Sequence, residues 1–177
     1  MLNKLGLSII TMFGIGYIKL APGTFASLAT CIIYFFLFKI IFSQIEINYL
    51  NYLIFFLIFI FFIIIYLINN VKNNFKKRDA SEIVIDEFLG QSIVLISLLF
   101  MPISLELLEK NIIIFFLVSF FLFRLFDITK PFPIGLIDKK MKSGFGIMLD
   151  DLVASLFSSI CIYVIINLWF WKVLKKY

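Results

Sequence analysis

Five carboxylates whose types and spacing suit metal binding stand near the ends of predicted helices. They form two adjacent pairs and one single residue: Asp86, Glu87, Asp127, Asp150 and Asp151. An unpaired carboxylate near lipid is costly and adjacent like charges repel each other, so a positive partner is expected. Oxygen-only clusters favour Mg²⁺ or Mn²⁺. The set therefore predicts a divalent-metal site, although a single carboxylate at a helix N-terminus can also be a simple cap.

Basic residues and glycines close to these acids predict phosphate binding. Arg124 and Asp127 are three residues apart and share a helix face, so they could form a plain ion pair. Arginine is also suited to bidentate phosphate recognition, and Lys130 follows within the next turn. Gly144 and Gly146 precede the second acidic pair, and glycines before a helix let backbone N–H groups approach an anion. A lone Gly-x-Gly is more often a plain turn, so this cradle depends on the acids beside it.

Histidine is absent from the chain, and this excludes several classes of catalytic site. Ser-His-Asp and Cys-His catalysis, histidine-based zinc sites and phosphohistidine chemistry all need that residue. The two cysteines, Cys31 and Cys161, lie inside apolar runs and outside any Cys-x-x-Cys pair. We interpret them as small buried hydrophobic residues, which leaves the acids as the candidates for catalysis.

The composition defines the environment in which these acids must work. The chain has 177 residues, of which 63% are hydrophobic and 15% charged, whereas globular chains have about 45–50% apolar and about 25% charged residues. A protein of this size cannot bury so many apolar residues in its interior. The composition therefore excludes a soluble monomer, a disordered chain and a disulfide scaffold. The basic residues cluster between apolar runs, a pattern that fits anionic lipid headgroups and not nucleic acid.

Five apolar stretches are long enough, or nearly so, to cross a bilayer, which takes about 20 residues. They are Phe25–Phe42, Leu50–Ile68, Phe88–Leu105, Ile112–Phe126 and Leu152–Trp171. The opening stretch, Leu5–Ile18, is short and interrupted by glycine, so we predict an interfacial or re-entrant helix there. The sequence thus predicts a single all-α domain over residues 1–177, a polytopic helical membrane protein with about four to five spanning helices.

Two basic loops determine the predicted orientation. Their basic residues are Lys72, Lys76, Lys77 and Arg78 in the first loop and Lys130, Lys139, Lys140 and Lys142 in the second. The alternate loops, 43–49 and 102–111, hold one lysine between them, so the positive-inside rule predicts that the basic loops are cytoplasmic. The five carboxylates then face the cytoplasm. Five crossings put the basic tail Lys172–Tyr177 outside, so either the tail is an exception or one span is re-entrant.

A tight turn is predicted where the first span begins on the same face. Pro22 and Gly23 suit such a turn, and Thr24 is expected to cap the helix that follows. Lys19 lies just before this turn. The acids are predicted at three junctions between loop and helix: Asp86 and Glu87 open the third span, Asp127 closes the fourth, and Asp150 and Asp151 open the fifth. The turn therefore adds a fourth junction on the same face.

Four sequence blocks together resemble the phosphatidylglycerophosphatase A family. The blocks are Pro22-Gly23-Thr24, Asp86-Glu87-Phe88, Arg124-Leu-Phe-Asp127-Ile-Thr-Lys130-Pro131-Phe-Pro133-Ile134 and Gly144-Phe-Gly146-Ile-Met148-Leu-Asp150-Asp151. The resemblance covers the chain from Gly14 to Ala154. It implies an all-α, Mg²⁺-dependent phosphatase of the bacterial inner membrane, which removes the terminal phosphate of phosphatidylglycerophosphate to leave phosphatidylglycerol.

The resemblance also implies roles for individual residues. The five carboxylates would hold one or two Mg²⁺ ions, with one of them free as a general base. Arg124 and Lys130 would hold the phosphoryl oxygens, with the N–H groups of Gly144 and Gly146 nearby. The residues assigned to the glycerol or the lipid phosphodiester are Lys19, Gly23 and Thr24. Direct attack by water is favoured over an aspartyl-phosphate intermediate, because the Asp-x-Asp signature of that chemistry is missing. The oligomeric state is left open.

Other classes of protein fit the pattern less well. A divalent-cation transporter or channel would place its acids at mid-span facing a pore, whereas these gather at one face. A CDP-alcohol phosphotransferase needs a longer acidic array on one helix, which this chain lacks. A purely structural subunit would not need acids at three junctions. The transporter is kept as the alternative to the phosphatase.

Overall fold

The computed structural model describes residues 2–41, 48–71, 81–141 and 143–174, and within these ranges the chain is helical without strands. The α-helices are α1 (Leu2–Ile10), α2 (Pro22–Ile41), α3 (Asn48–Val71), α4 (Ile85–Ser97), α5 (Leu105–Lys110), α6 (Ile112–Thr129), α7 (Ile134–Lys140) and α8 (Gly144–Leu174). Short 3₁₀ turns occur at Ile15–Tyr17 and Leu98–Phe100. The predicted all-α class is confirmed. The first basic loop, residues 72–80, lies outside the described residues, as do Lys142 and the last three residues of the tail.

Four of the described helices are long and apolar enough to span a membrane. The segments are Pro22–Ile40, Ile54–Val71, Ile112–Thr129 and Gly144–Leu168. They carry many large apolar side chains on their outer faces, among them Phe55, Phe59 and Phe121, each more than half exposed. Lipid is the medium in which such a surface is stable. The chain is therefore a multi-pass membrane protein, within the predicted range of four to five spans.

The helix α4 lies at the centre of the bundle, where it packs against α8, α2 and α6. Leu89, Val94 and Leu95 are buried by these neighbours. Gly90 lies at the closest approach, because a Cβ added there would stand 2.7 Å from the ring of Phe123 and 3.2 Å from the carbonyl oxygen of Asp151. Small residues allow helix backbones to approach one another in this way. Gly90 thus lets three helices meet beside the acidic residues.

The predicted span Phe88–Leu105 is not one continuous helix. The helix α4 ends at Ser97, a 3₁₀ turn follows, and Met101 is extended with φ −80° and ψ 154°. Proline disfavours the helical conformation in the residue before it, so Pro102 explains the break at Met101. The chain then begins α5, where the Ser104 hydroxyl accepts a hydrogen bond from the Leu107 N–H at 3.3 Å.

The last span also begins earlier than the predicted start at Leu152. The helix α8 begins at Gly144, and the N–H of Gly146 donates to the hydroxyl of Ser143 at 3.2 Å as an N-terminal cap. Asp150 and Asp151 therefore lie nearly two turns inside the helix, about 9 Å from its start. They do not open the span as predicted, so capping does not explain them.

The helix α8 has 31 residues, and the 23 that follow Asp151 extend away from the acids, about 35 Å at the usual helical rise. Its C-terminal end therefore lies at the end of the bundle opposite to Asp150 and Asp151. Of the two predicted explanations for the basic tail, this direction favours a tail on the far side of the membrane.

The first helix is short, as its sequence predicts, and packs on the end of α3. Ile10 of α1 shares a buried cluster with Ile64, Ile68 and Val71. The backbone N–H of Val84 donates to the carbonyl of Ile10 at 3.0 Å, which ties α1 to the segment that leads into α4. The N-terminal segment thereby supports the start of α4, where the first acidic pair lies.

Candidate functional site

A polar cavity of about 190 Å³ opens at one end of the bundle, where α4, α6, α7 and α8 meet. All five carboxylates singled out in the sequence line it. Its lining residues are Ser81, Ile83, Asp86, Glu87, Asp127, Lys130, Asp138, Ile147, Asp150 and Asp151. Helices of alternating direction thus bring the three predicted junctions to one place.

Three of the carboxylates converge closely. Asp86, Glu87 and Asp151 each present one oxygen within 4.8 Å of the other two. One oxygen of each residue is also buried without a hydrogen-bond partner, namely Oδ1 of Asp86, Oε2 of Glu87 and Oδ2 of Asp151. Buried polar atoms are normally paired, so converging unpaired carboxylate oxygens indicate a missing positive partner. An all-oxygen donor set of this kind fits a small divalent cation such as Mg²⁺.

The environment of the first acidic pair works against its ionisation. Burial raises the pKa of Asp86 well above its usual value, and the neighbouring charge of Glu87 raises it further. Burial also raises the pKa of Glu87. The charge of Arg124 lowers the pKa of Glu87 but does not outweigh the effect of burial. A bound cation would favour the charged form of both carboxylates.

The positive charge that does line the cavity belongs to Lys130, which bridges two acids. Its Nζ donates to Oδ2 of Asp150 at 2.7 Å and lies 2.9 Å from Oδ1 of Asp138. Burial lowers the pKa of Lys130, but the hydrogen bonds to Asp138 and Asp150 outweigh it and raise the pKa overall. Lys130 is therefore a fixed cation at the cavity wall.

Asp138 is the site residue that sequence analysis missed. Beside Lys139 and Lys140 it resembles part of a solvated charged surface. Its place depends on Lys130, whose left-handed conformation (φ 42°, ψ 57°) ends α6 and turns the chain. Residues 131–133 then form a turn and lead into α7. This turn brings Asp138 back to the cavity.

Arg124 forms the ion pair that its spacing allows and keeps part of its guanidinium group unpaired. Its Nη1 donates to Oδ2 of Asp127, and its Nε is buried without a partner. Both interpretations of Arg124 therefore stay compatible with the geometry. The start of α2 lies against this group, because a Cβ added at Gly23 would overlap the Glu87 carboxylate and stand 3.3 Å from Nη1 of Arg124. Gly23 thus leaves room for both side chains.

Two other residues of the predicted junction at the start of α2 do not line the cavity. Lys19 is exposed, and Thr24 is half-buried within the first turn of α2. The predicted cap at Thr24 is wrong, because the helix already begins at Pro22. Contact of Lys19 and Thr24 with a ligand stays a prediction.

The glycines before the second acidic pair serve packing in this structure. The N–H of Gly144 donates to Oδ1 of Asn69 at 3.0 Å, and that of Gly146 donates to Ser143. A Cβ at Gly144 would stand 3.1 Å from the backbone oxygen of Ile65, and one at Gly146 would overlap a backbone oxygen. Both N–H groups have partners within the chain, and contact of Gly144 and Gly146 with a phosphate stays a prediction.

Comparison with known proteins identifies a common family. The family model described as "Phosphatidylglycerophosphatase A" matches residues 8–166. A Haemophilus influenzae protein named "Phosphatidylglycerophosphatase A" is 34% identical over 153 residues, 86% of this chain and 83% of the relative. An Escherichia coli protein of the same name is 30% identical over 157 residues, 89% of this chain and 81% of the relative.

A third relative carries a different name. The Bacteroides thetaiotaomicron protein is 32% identical over 154 residues, which cover 87% of this chain and 89% of the relative, and it has the provisional name phosphatidylinositol-3-phosphatase. No solved structure matches the chain.

Proposed function

Because this chain belongs to the phosphatidylglycerophosphatase A family, we propose that it removes the terminal phosphate of phosphatidylglycerophosphate and leaves phosphatidylglycerol in the bilayer. The chain is a multi-pass membrane protein and a phosphatase, that is, a phosphoric monoester hydrolase. The lipid, the metal and the roles of single residues are the proposed parts. The observation that carries them is the convergence of Asp86, Glu87 and Asp151 with unpaired oxygens.

We assign the metal to this three-carboxylate cluster, with Asp127 and Asp150 at its edge. When bound, Mg²⁺ supplies the positive charge that offsets both the carboxylates and a phosphomonoester. The protein holds Lys130 against Asp150 so that its ammonium group faces the cavity, where it would attract the phosphoryl oxygens. The unpaired Nε of Arg124 offers a further donor.

The reaction needs little covalent chemistry from the protein. Water attacks phosphorus and the bond from phosphorus to the glycerol oxygen breaks. One carboxylate of the cavity accepts the proton that water loses, and the departing glycerol oxygen takes up a proton to become the hydroxyl group of phosphatidylglycerol. The protein otherwise has to align the water with the phosphorus and to offset the negative charge of the phosphate. No histidine is required for any of these roles, in agreement with a chain that has none.

The position of the cavity fits a lipid substrate. Its acids lie at one end of the bundle, at headgroup height, where the phosphate of a membrane-held lipid would be found. The basic residues Lys139 and Lys140 are exposed at the same end. By the positive-inside rule this end faces the cytoplasm, and we place the protein in the bacterial inner membrane on that basis.

The cation transporter is disfavoured by where the charges lie. In the described spanning segments, Asp, Glu, Lys and Arg occur only near the helix ends, and Ile54–Val71 contains none. A translocation path for a divalent cation would need ionisable groups at mid-span. The acids therefore form a terminal site and not a pore.

The test is phosphate release by the protein purified in detergent. We expect release from phosphatidylglycerophosphate in the presence of Mg²⁺, faster than from phosphatidylinositol 3-phosphate or phosphatidic acid. Preference for phosphatidylinositol 3-phosphate would reassign the substrate in the direction of the Bacteroides relative's name. No release from any of the three lipids by folded, metal-loaded protein would contradict the proposed function.

A substitution at Gly23 tests the geometry of the site. Gly23→Ala is expected to lower phosphate release by about a hundredfold, because the added methyl group displaces the Glu87 carboxylate. Thermal unfolding should be unchanged or slightly shifted upward, since alanine is the better helix former. Phe25→Ala is the control, in the same turn but 45% exposed, and should keep the wild-type rate. Equal rates for all three proteins would show that Glu87 has no role.

A further inference from the structure

A second cavity, wholly different in character from the acidic one, lies between α3, α4 and α8. Its volume is about 450 Å³. Leu89 and Ile96 of α4 form its buried wall, while Ile54, Ile58 and Phe100 at its rim are 39%, 49% and 51% exposed. The cavity is thus a groove that opens sideways, toward the lipid around the bundle.

The groove begins next to the acidic cavity. Its wall includes Leu152, which directly follows Asp151 on α8, and Leu89, which comes two residues after Glu87 on α4. The same two helices therefore form both the carboxylate cluster and the upper end of the groove. A molecule that filled the groove would reach the cluster without leaving the protein surface.

The dimensions and polarity of the groove define its occupant. From Leu89 to Phe100 the wall extends about 16 Å, roughly half of the bilayer's hydrocarbon core of about 30 Å, which is the depth of one leaflet. Among the described residues that line the groove, Ser97 is the only polar one. Its hydroxyl donates to the carbonyl of Val94 at 2.7 Å, so it is already satisfied. The occupant must be apolar, elongated and one leaflet long.

We propose that one acyl chain of the lipid substrate lies in this groove while its phosphomonoester lies in the acidic cavity. The inference rests on the proposed function and adds the site that holds the apolar part of the substrate. The second acyl chain stays in the bilayer, because the groove opens to the surrounding lipid between the exposed residues of its rim. Binding along the groove would orient the headgroup toward the cluster of Asp86, Glu87 and Asp151.

A pair of matched variants tests the groove by activity. Ile58→Trp fills the groove from its rim, whereas Ile63→Trp adds the same bulk to α3 at a 41% exposed position outside it. For Ile58→Trp we expect kcat/KM to fall about tenfold with dipalmitoyl phosphatidylglycerophosphate, equivalent to losing about two buried methylene groups. With the dihexanoyl lipid the same variant should stay within about twofold of wild type, because the shorter chains reach less of the groove. Ile63→Trp should leave both substrates unaffected.

Equal losses on the two substrates, or equal behaviour of the two variants, would overturn the proposal. Failure of the wild-type protein on both lipids is a different result, since it contradicts the proposed function. A labelling experiment then tests, independently of catalysis, whether an acyl chain of the substrate lies in the groove.

The labelling probe is phosphatidylglycerophosphate with a photoreactive diazirine on one acyl chain, in vesicles of unlabelled phosphatidylcholine. Cross-links are expected at Ile58, Ile93 and Phe100, reduced in Ile58→Trp and unchanged in Ile63→Trp. Phosphatidylcholine with the same diazirine chain is the control and should label these residues more weakly. Equal labelling by the two lipids would identify ordinary surrounding lipid, and cross-links between two copies of the chain would identify a dimer interface. Either outcome would overturn the proposal.

Discussion

Asp151→Asn is expected to lower phosphate release from phosphatidylglycerophosphate by roughly a thousandfold, an effect of the size seen when a principal charge-stabilising group is lost. Asp86 and Glu87 are adjacent on α4, whereas Asp151 reaches the cluster from α8. Without the charge of Asp151, the proposed metal site keeps only the two adjacent carboxylates of α4, Asp86 and Glu87. Asparagine keeps the shape of the side chain, so the packing around it should survive.

Stability measurements separate this loss from misfolding. The carboxylate of Asp151 is buried among other acids and has an unpaired oxygen, so removing its charge should raise the unfolding temperature of the metal-free protein. Activity and stability thus move in opposite directions. Glu106→Gln is the control, on α5 at the opposite end of the bundle and exposed, and should change neither. A rate for Asp151→Asn within tenfold of wild type would remove this residue from the site.

Removing divalent metal is expected to reduce phosphate release to the background rate. EDTA leaves the carboxylates of the cavity without the cation that their unpaired oxygens indicate. Activity should return when Mg²⁺ or Mn²⁺ is added, since both ions prefer oxygen ligands. Full activity in EDTA would show that the reaction needs no exchangeable metal.

Binding of the metal should also be visible without any substrate. A ligand at one hundred times its dissociation constant stabilises the folded state by about 2.7 kcal/mol, so Mg²⁺ should raise the unfolding temperature of the wild-type protein. The rise should be much smaller in Asp151→Asn and unaltered in Glu106→Gln. An equal rise in all three proteins would place the ion elsewhere.

The convergence of the acids could be predicted from the sequence because it follows from topology. Apolar runs of membrane length fix the alternation of direction, and alternation brings the start of α4, the end of α6 and the start of α8 to one face. Asp86 and Asp127 lie at the first two of these junctions, and Asp151 lies within two turns of the third. Their membership of one cavity needed no knowledge of side-chain packing.

The start of α8 could not be predicted in the same way. Gly144 and Gly146 are signals for a loop when only neighbouring residues are considered. In the folded chain they lie in the first turn of α8, where α3 and the backbone before the helix approach them too closely for a side chain. Such contacts come from distant parts of the sequence, so the depth of Asp150 inside the helix becomes visible only in three dimensions.

Asp138 escaped prediction for a related reason. A charge among lysines usually belongs to a solvated face, and nothing local distinguishes this one. Its role depends on the reversal at Lys130, a left-handed residue that is not glycine. No pattern in the sequence predicts the left-handed conformation of Lys130 or the ion pair between Lys130 and Asp138.

The depth of Asp150 and Asp151 in α8 ties the chemistry of this protein to the thickness of its bilayer. The spanning part of α8, Gly144–Leu168, has 25 residues, about 37 Å against a hydrocarbon core of about 30 Å. The excess of about 7 Å nearly equals the distance from the start of the helix to the acids. Letting the first two turns project from the hydrocarbon therefore brings both carboxylates to the headgroup boundary. A thicker membrane would draw them inward by hydrophobic mismatch, so the length of the surrounding lipids would set the depth of this site in the bilayer.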